Sequence, residues 1–144
     1  MASFVYNEAA NHLLGTATAI SWASDTIKAR LTASSVTPNK DDTVMTGYTQ
    51  IGTDQTLGTK TQTKDTTNDR IVFDAADSTW TAVAGGSTVG FITIFKFVTN
   101  DAGSTPIAII RCRSSRDCDA QLEPVLRRSY LYYLAREGLR RFGG

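Results

Sequence analysis

The strongest hydrophobic pattern in the chain covers residues 89–98. Alternate side chains of a strand point to opposite faces of a sheet. Both faces are apolar here, one with Val89, Phe91, Phe95 and Phe97 and the other with Ile92, Ile94 and Val98. Because a strand of this kind has to be covered on both sides, we expect it to be the central strand of a packed β domain.

Shorter strand patterns occur on both sides of it. Residues 27–32 alternate apolar positions with Lys28, Arg30 and Thr32, which is typical of a half-buried strand. Further strands are predicted near 20–22, 47–51, 59–63, 70–74, 79–84 and 106–110. The pattern as a whole predicts a mainly β fold, an antiparallel β-sandwich or small barrel of about seven to eight strands.

Two segments depart from the strand pattern. Residues 7–15 predict a short N-terminal helix, with Asn7 able to cap its first N–H groups and Gly15 able to end it. Residues 34–56 are rich in Ser, Thr, Asp, Asn and Gly, so we expect a long surface loop there. Asp41 and Asp42 are interpreted as a solvated turn, because their surroundings lack the spacing of a calcium loop.

The polar run 59–63 has no apolar face, yet threonine suits a strand. Lys60 and Lys64 favour an exposed strand edge that has to avoid pairing with other chains. A turn at 66–69 then leads into the apolar run 70–74.

Charge and threonine divide the chain near Ile110. Residues 1–110 hold seven Lys/Arg and ten Asp/Glu, which gives 7 − 10 = −3, whereas residues 111–144 hold eight Arg and four acids, which gives 8 − 4 = +4. All 21 threonines lie in the first part. We therefore predict a β domain over 1–110, including the helix, followed by an Arg-rich C-terminal segment over 111–144 that is not an independent domain.

Chemistry-bearing motifs are missing from the sequence. There is no nucleophile elbow, zinc-protease motif or phosphate-binding loop, and His12 is the only histidine. Asp74 and Asp77 are interpreted as turn formers rather than as a glycosidase pair. Cys112 and Cys118 are interpreted as free thiols, because two cysteines without further ligands make neither a disulfide framework nor a zinc site. We expect no enzyme activity, no cofactor and no metal.

Targeting signals are also missing. The longest apolar run is far shorter than the roughly 20 residues of a transmembrane helix. The N-terminal residues lack the basic start of a secretory signal. We therefore expect no membrane partner and synthesis in the cytoplasm.

Several segments, in order, resemble a known group of proteins: YNEAANHLLG (6–15), SDTIKARLTASSVTPNKDDT (24–43), GYTQIG (47–52), TNDRIVFDAADSTWT (67–81) and FITIFKFVTNDAGSTPIAII (91–110). They are similar to small β-rich structural proteins of tailed bacteriophage virions. The resemblance covers about residues 5–110 and brings no catalytic residues with it. It implies a virion component, such as a capsid decoration or cement protein or a head or tail accessory.

The resemblance leads to two hypotheses for function. The first is a decoration or cement protein on the capsid exterior that binds the major capsid protein, made in the host cytoplasm and forming a dimer or trimer. The alternative is a head- or tail-fibre module that binds a host receptor or glycan, with Trp22, Tyr48 and Trp80 as an aromatic platform. For the two tryptophans, burial in the core is the competing interpretation. A nucleic-acid partner is not expected, because most of the arginines stand in pairs or near acidic residues and the rest of the domain is acidic.

The C-terminal segment shows a helical spacing of apolar residues from Leu122 to Leu134. It is predicted either to close one end of the domain or to dock onto an acidic partner, and the sequence leaves both open. Arginine suits the docking alternative because its planar group holds carboxylates at two points. The predicted docking residues are Arg127, Arg128, Arg136, Arg140 and Arg141.

Overall fold

The computed structural model describes residues 3–14, 19–68, 70–80, 83, 86 and 88–112. In this part of the chain there are seven strands and one α-helix, α1 (Asn7–Leu14). The strands are β1 (Phe4–Val5), β2 (Ile27–Ala33), β3 (Gln50–Thr56), β4 (Thr61–Asp65), β5 (Arg70–Asp74), β6 (Val89–Lys96) and β7 (Thr105–Arg111). The predicted mainly β fold with a short N-terminal helix is confirmed.

The strands form two antiparallel sheets. The larger sheet has the order β1-β7-β6-β2-β3, and β4 and β5 form a separate hairpin. β6 lies in the middle of the five strands, as its doubly apolar pattern predicts. In the described residues neither sheet closes into a barrel, so of the two predicted architectures only the open, two-sheet one applies.

One face of the large sheet carries the first hydrophobic cluster. Ile27, Ala29 and Leu31 of β2 lie here beside Ile92 and Ile94 of β6. The hairpin packs against this cluster through Phe73, whose ring meets that of Trp22 edge-on with centroids 5.4 Å apart. The indole N–H of Trp22 also donates to the Asp74 carbonyl at 3.2 Å.

The opposite face carries a second cluster, covered by the N-terminal segment and the long loop 34–49. Its buried members are Tyr6, Met45, Tyr48, Phe91, Phe95 and Ile109. Met45 and Tyr48 belong to the loop that the sequence predicts as a surface excursion, so that prediction is wrong for these two residues. Their burial covers the second face of β6, which would otherwise expose two phenylalanines to water.

Three further strand predictions need correction. β2 is buried on both faces, with Arg30 only 3% exposed and Thr32 fully buried, because the loop 34–49 covers the side predicted to face solvent. Val98 lies beyond the end of β6 and is 56% exposed. Residues 20–22 and the described residues 79, 80 and 83 are not in strands.

Two irregularities in the strand pairing have glycines at their centres. Between β2 and β3 the register passes from Ala29↔Gln55 to Leu31↔Ile51, so that three residues of β3 face Arg30 alone. Gly52 allows this bulge with a φ of 69°, a left-handed conformation that side chains disfavour. Gly90 is skipped between β2 and β6, and a Cβ there would lie 2.5 Å from Cα of Ser34.

Candidate functional site

The second face of the sheet contains a buried arginine held by two carboxylates. Arg30 of β2 donates from Nε and Nη2 to the two carboxylate oxygens of Asp54 at 2.9 and 2.8 Å. It donates from Nη1 and Nη2 to Asp101 at 2.8 Å each, and from Nη1 to the Tyr48 carbonyl at 3.0 Å. These five bonds account for all five N–H donors of a guanidinium group.

Local structure explains how each partner reaches Arg30. The bulge at Gly52 brings Asp54 opposite Arg30. Asp101 begins the short 3-10 helix Asp101–Gly103, which Asn100 caps by accepting the Gly103 N–H at 3.0 Å. Buried Ser104 closes the same turn by donating to the Asn100 carbonyl at 2.6 Å. The arginine therefore joins β2, the β3 bulge, the 3-10 turn and the long loop.

Burial and pairing act in opposite directions on the ionisation of this group. Burial by itself would lower the pKa of Arg30, but the hydrogen bonds and charges of Asp101 and Asp54 raise it above its usual range. The hydrogen bonds from Arg30 lower the pKa of Asp101, although partial burial of this carboxyl opposes the shift. Arg30 is thus a permanent cation, and its pairing with Asp101 favours the carboxylate form of that residue.

A chain of hydroxyl groups lies beside the arginine. The Tyr6 hydroxyl donates to the Tyr48 hydroxyl at 2.6 Å, and the Tyr48 hydroxyl donates to Oδ2 of Asp42 at 2.5 Å. Burial raises the pKa of both tyrosines, and for Tyr48 the hydrogen bond to Asp42 raises it further. Both phenols are therefore neutral near pH 7.

The helix and the loop are fastened to each other at the same place. The Asn7 N–H donates to the Lys40 carbonyl at 3.0 Å, and the Asn7 side chain donates to Oδ1 of Asp41 at 2.5 Å. The predicted turn at 41–42 is present. Its acids bind Asn7 and Tyr48 as well as facing solvent, so the turn anchors the N-terminal segment.

The polar groups of this network form hydrogen bonds and ion pairs with one another. Every donor of Arg30 is taken up by a protein acceptor, and buried Thr32 and Thr93 pair their hydroxyls at 2.8 Å. In the described residues, no buried side-chain nitrogen or oxygen lacks a hydrogen-bond partner. The network holds the loop 34–49 and the 3-10 turn on the sheet, and it presents no ligand-directed group.

The aromatic platform suggested by the sequence is not assembled. Trp22 is buried in the first cluster and Tyr48 in the second, on opposite faces of the sheet. Trp80 is half-buried, and its indole N–H donates to the Thr53 carbonyl at 2.9 Å. The interpretation of the tryptophans as packing residues fits their positions.

The other predicted site residues lie outside the described part of the chain. These are Arg127, Arg128, Arg136, Arg140 and Arg141, whose docking role stays a prediction. Cys112 is described and is disulfide-bonded, so the prediction of a free thiol at this residue is wrong. That prediction rested on the small number of cysteines and on the lack of further ligands near them.

Few large hydrophobic side chains are exposed among the described residues. The large hydrophobic side chains that are exposed are Ile71, Val83 and Val98. No group of three or more His, Cys, Asp or Glu in the described ranges is arranged to hold a metal ion. No helix in those ranges has the length and apolar character needed to cross a membrane.

Comparison of the chain with protein families, with curated proteins and with solved structures finds no match.

Proposed function

We propose that this protein is a structural component of a tailed-phage virion, a decoration or cement protein that binds the outside of the capsid shell. The proposal starts from the ordered segment resemblance over residues 5–110. Its partners would be the major capsid protein and further copies of itself. Its location would be the capsid exterior, after synthesis in the host cytoplasm.

The main support for the proposal is that the resembling segments coincide with strands of the β domain. Segment 24–43 contains β2, segment 67–81 contains β5, and segment 91–110 contains most of β6 and most of β7. The resemblance thus follows the strands that build the core and the 3-10 turn that binds Arg30. The likeness therefore lies in several separate strands of the β domain rather than in one local motif.

The polar network supports the same proposal. The buried charges bind each other and so join distant segments of the chain, with Arg30 bonded to Asp54 and Asp101. A shell-bound protein needs a domain that keeps its shape under load, and it acts through many repeated contacts of modest area. Charges that pair within the domain and join distant segments support such a role.

The test is the copy number of the protein in purified virions, measured by quantitative mass spectrometry against the major capsid protein. A decoration protein is expected in a fixed stoichiometric ratio to the coat. Absence from particles, or only a few copies in each, would refute decoration.

A second measurement tests cementing itself. Shells lacking the protein are heated with and without added purified protein, and their dissociation is followed by light scattering. The expected result is a higher dissociation temperature with the protein present. An unchanged temperature at saturating protein would contradict a cement role.

A further inference from the structure

The hairpin of β4 and β5 has an open strand edge on β5. In the described part of the chain, these two strands are the only members of their sheet. The large sheet is better protected, because β1 has two residues and β3 is interrupted by its bulge, with Trp80 bound to the Thr53 carbonyl. On β4, exposed Lys64 disfavours pairing with another strand. The outer edge of β5 lacks such a lysine.

β5 has a self-complementary sequence. It reads Arg-Ile-Val-Phe-Asp, with a cation at position 70, an anion at position 74 and three apolar residues between them. We propose that β5 pairs antiparallel with β5 of a second copy about a twofold axis at Val72, forming a continuous four-stranded sheet across a dimer. Arg70 of each copy then lies opposite Asp74 of the other, and Ile71 lies opposite Phe73.

The exposure of Ile71 supports this pairing. Ile71 and Phe73 are two residues apart and share one face of the hairpin. Phe73 reaches the first cluster, whereas Ile71 is 43% exposed. In the dimer each Ile71 meets the other copy's Phe73 in a cross-strand pair, a contact that stabilises antiparallel sheets. The pairing thus covers one of the few large apolar side chains left exposed in the described residues.

The ends of β5 already have neighbours within the chain. Asp65 lies opposite Arg70 in the hairpin register. The Asp74 carbonyl accepts from Trp22 at 3.2 Å, and its side chain accepts the Ala75 N–H at 3.0 Å. A carbonyl oxygen has two lone pairs, so the bond from Trp22 leaves the Asp74 carbonyl able to accept from a second copy.

The dimer follows from this chain alone and holds whether or not the protein decorates a virion. A pairing of two five-residue strands buries less area than a standard stable interface. The dimer should therefore form reversibly with rising concentration. Closely spaced copies on any surface would populate it further through effective concentration.

The proposal is tested by measuring the dimer dissociation constant of the full chain by sedimentation equilibrium, from low to high micromolar concentration. The wild type is compared with variants in which the charges at positions 70 and 74 are changed. Arg70→Asp places two acids opposite each other, and Asp74→Arg places two arginines opposite each other. Each variant should weaken dimerisation by about tenfold, because like charges directly opposite destabilise strand pairs. All of these variants are made in an Asp65→Asn background, because Asp65 lies opposite residue 70 in the hairpin and would repel an acid placed there. In that background the double variant R70D/D74R restores the opposite pairs between the copies and should dimerise within about threefold of its parent.

Lys64→Glu is the matched control, since it changes the charge by the same amount as Arg70→Asp but lies on β4. It should leave the dimer nearly unchanged. A wild-type chain that stays monomeric throughout overturns the proposal. So does equal weakening by Lys64→Glu and Arg70→Asp, or a double variant that fails to recover while its thermal melting matches that of its parent.

A covalent test reports the register directly. Val72→Cys places two thiols at the twofold axis, where the Cα separation of an antiparallel pair, roughly 4.5–5.5 Å, permits a disulfide. Thr63→Cys, opposite Val72 on β4, is the control. Faster oxidation of V72C to a covalent dimer supports the pairing, and equal rates for both variants contradict it.

Discussion

Nη2 of Arg30 donates to Oδ1 of Asp101 at 2.8 Å, although 71 residues separate the two in the chain. The same guanidinium group binds both oxygens of Asp54. A single side chain therefore fixes the relative positions of an inner strand, an edge-strand bulge and a turn. The loop that covers the second face depends on the same turn, because the Met45 N–H donates to the carbonyls of Asp101 and Ser104 at 3.0 and 3.1 Å.

Replacing Arg30 with methionine should destabilise the protein strongly. Removal of one member of a buried ion pair leaves its partners uncompensated, which costs about 3–5 kcal/mol. The lower end applies here, because the side chain of Asp101 is 44% exposed and can be solvated. The measurement is the free energy of unfolding from urea denaturation.

Lys28→Met is the control for that substitution. Lys28 lies two residues away on the same strand, half-buried, with Nζ 3.6 Å from the centroid of the Phe97 ring. Loss of this cation–π contact should cost about 0.5–1 kcal/mol. Equal costs for the two variants would show that the network around Arg30 has no special role in stability.

The Arg30–Asp101 pair predicts a loss of stability in acid. The pKa of Asp101 is lowered in the folded state, so its contribution is complete above the unfolded value near 3.8 and is lost as the pH falls through the folded pKa. Asp101→Asn should therefore be less stable than the wild type at pH 7, and the gap should close towards pH 2. We expect a gap of at most about 1 kcal/mol, because this carboxylate is partly exposed.

Thermal melting of both proteins between pH 7 and pH 2 measures this gap. Asp77→Asn, at an exposed acid between β5 and β6, controls for the general effect of removing a negative charge. A gap between wild type and Asp101→Asn that stays constant down to pH 2 would contradict the assigned ionisation.

The sequence predicts the central strand and the hairpin well because their patterns are local. The run of β6, apolar on both faces, indicates a strand buried on both sides, and the polar run of β4 indicates an exposed strand. The prediction that β2 is half-buried is wrong because the burial of its polar face depends on a distant segment. Its alternation of apolar and polar residues is real, but the polar face is covered by a loop whose packing residues, Met45 and Tyr48, stand alone among polar neighbours.

The Arg30 network could not be predicted for a related reason. Asp54 and Asp101 lie in turn-rich segments where an acid ordinarily serves its own backbone. Their approach to Arg30 depends on the register of β2 with β3 and on the position of the 3-10 turn, which are tertiary facts. Arg30 alternates with apolar residues just as Lys28 and Thr32 do, so the sequence pattern by itself places it on the solvent side of β2.

Gly90→Ala should disturb the pairing of β2 with β6. A Cβ at Gly90 would lie 2.5 Å from Cα and 3.1 Å from N of Ser34, and backbone atoms cannot turn aside as a flexible side chain can. We expect a loss of about 1–3 kcal/mol, typical of overpacking. Urea denaturation measures it.

Gly58→Ala is the comparison for Gly90. A Cβ at Gly58 would have no heavy atom within 4 Å, and this glycine has no positive φ. Alanine there should be neutral or stabilise the fold by about 0.4–1 kcal/mol through the unfolded chain. Similar destabilisation by both substitutions would refute the steric explanation.

The Arg-rich C-terminal segment is predicted to dock onto an acidic partner through its arginines. Replacing Arg127, Arg128, Arg140 and Arg141 with Glu should reduce incorporation into particles while leaving the thermal melting of the free protein nearly unchanged. Reversal exchanges attraction to an acidic partner for repulsion. The truncation that removes the segment should follow Cys112, because β7 runs to Arg111 and the Cys112 N–H donates to the Gly90 carbonyl at 2.9 Å. It should also carry Cys112→Ser, because Cys112 is disulfide-bonded and the truncation removes the other cysteine of the sequence.

Substitution of the same four arginines with lysine shows whether docking needs only their positive charge or also the planar shape of the guanidinium group. Lysine keeps the positive charge but cannot hold a carboxylate at two points. If docking depends on bidentate pairing, the lysine variant should incorporate at an intermediate level between wild type and the Glu variant. Normal incorporation of the Glu variant, or collapse of its melting transition, would show that the segment is not a docking arm, and collapse would favour a segment that closes the domain.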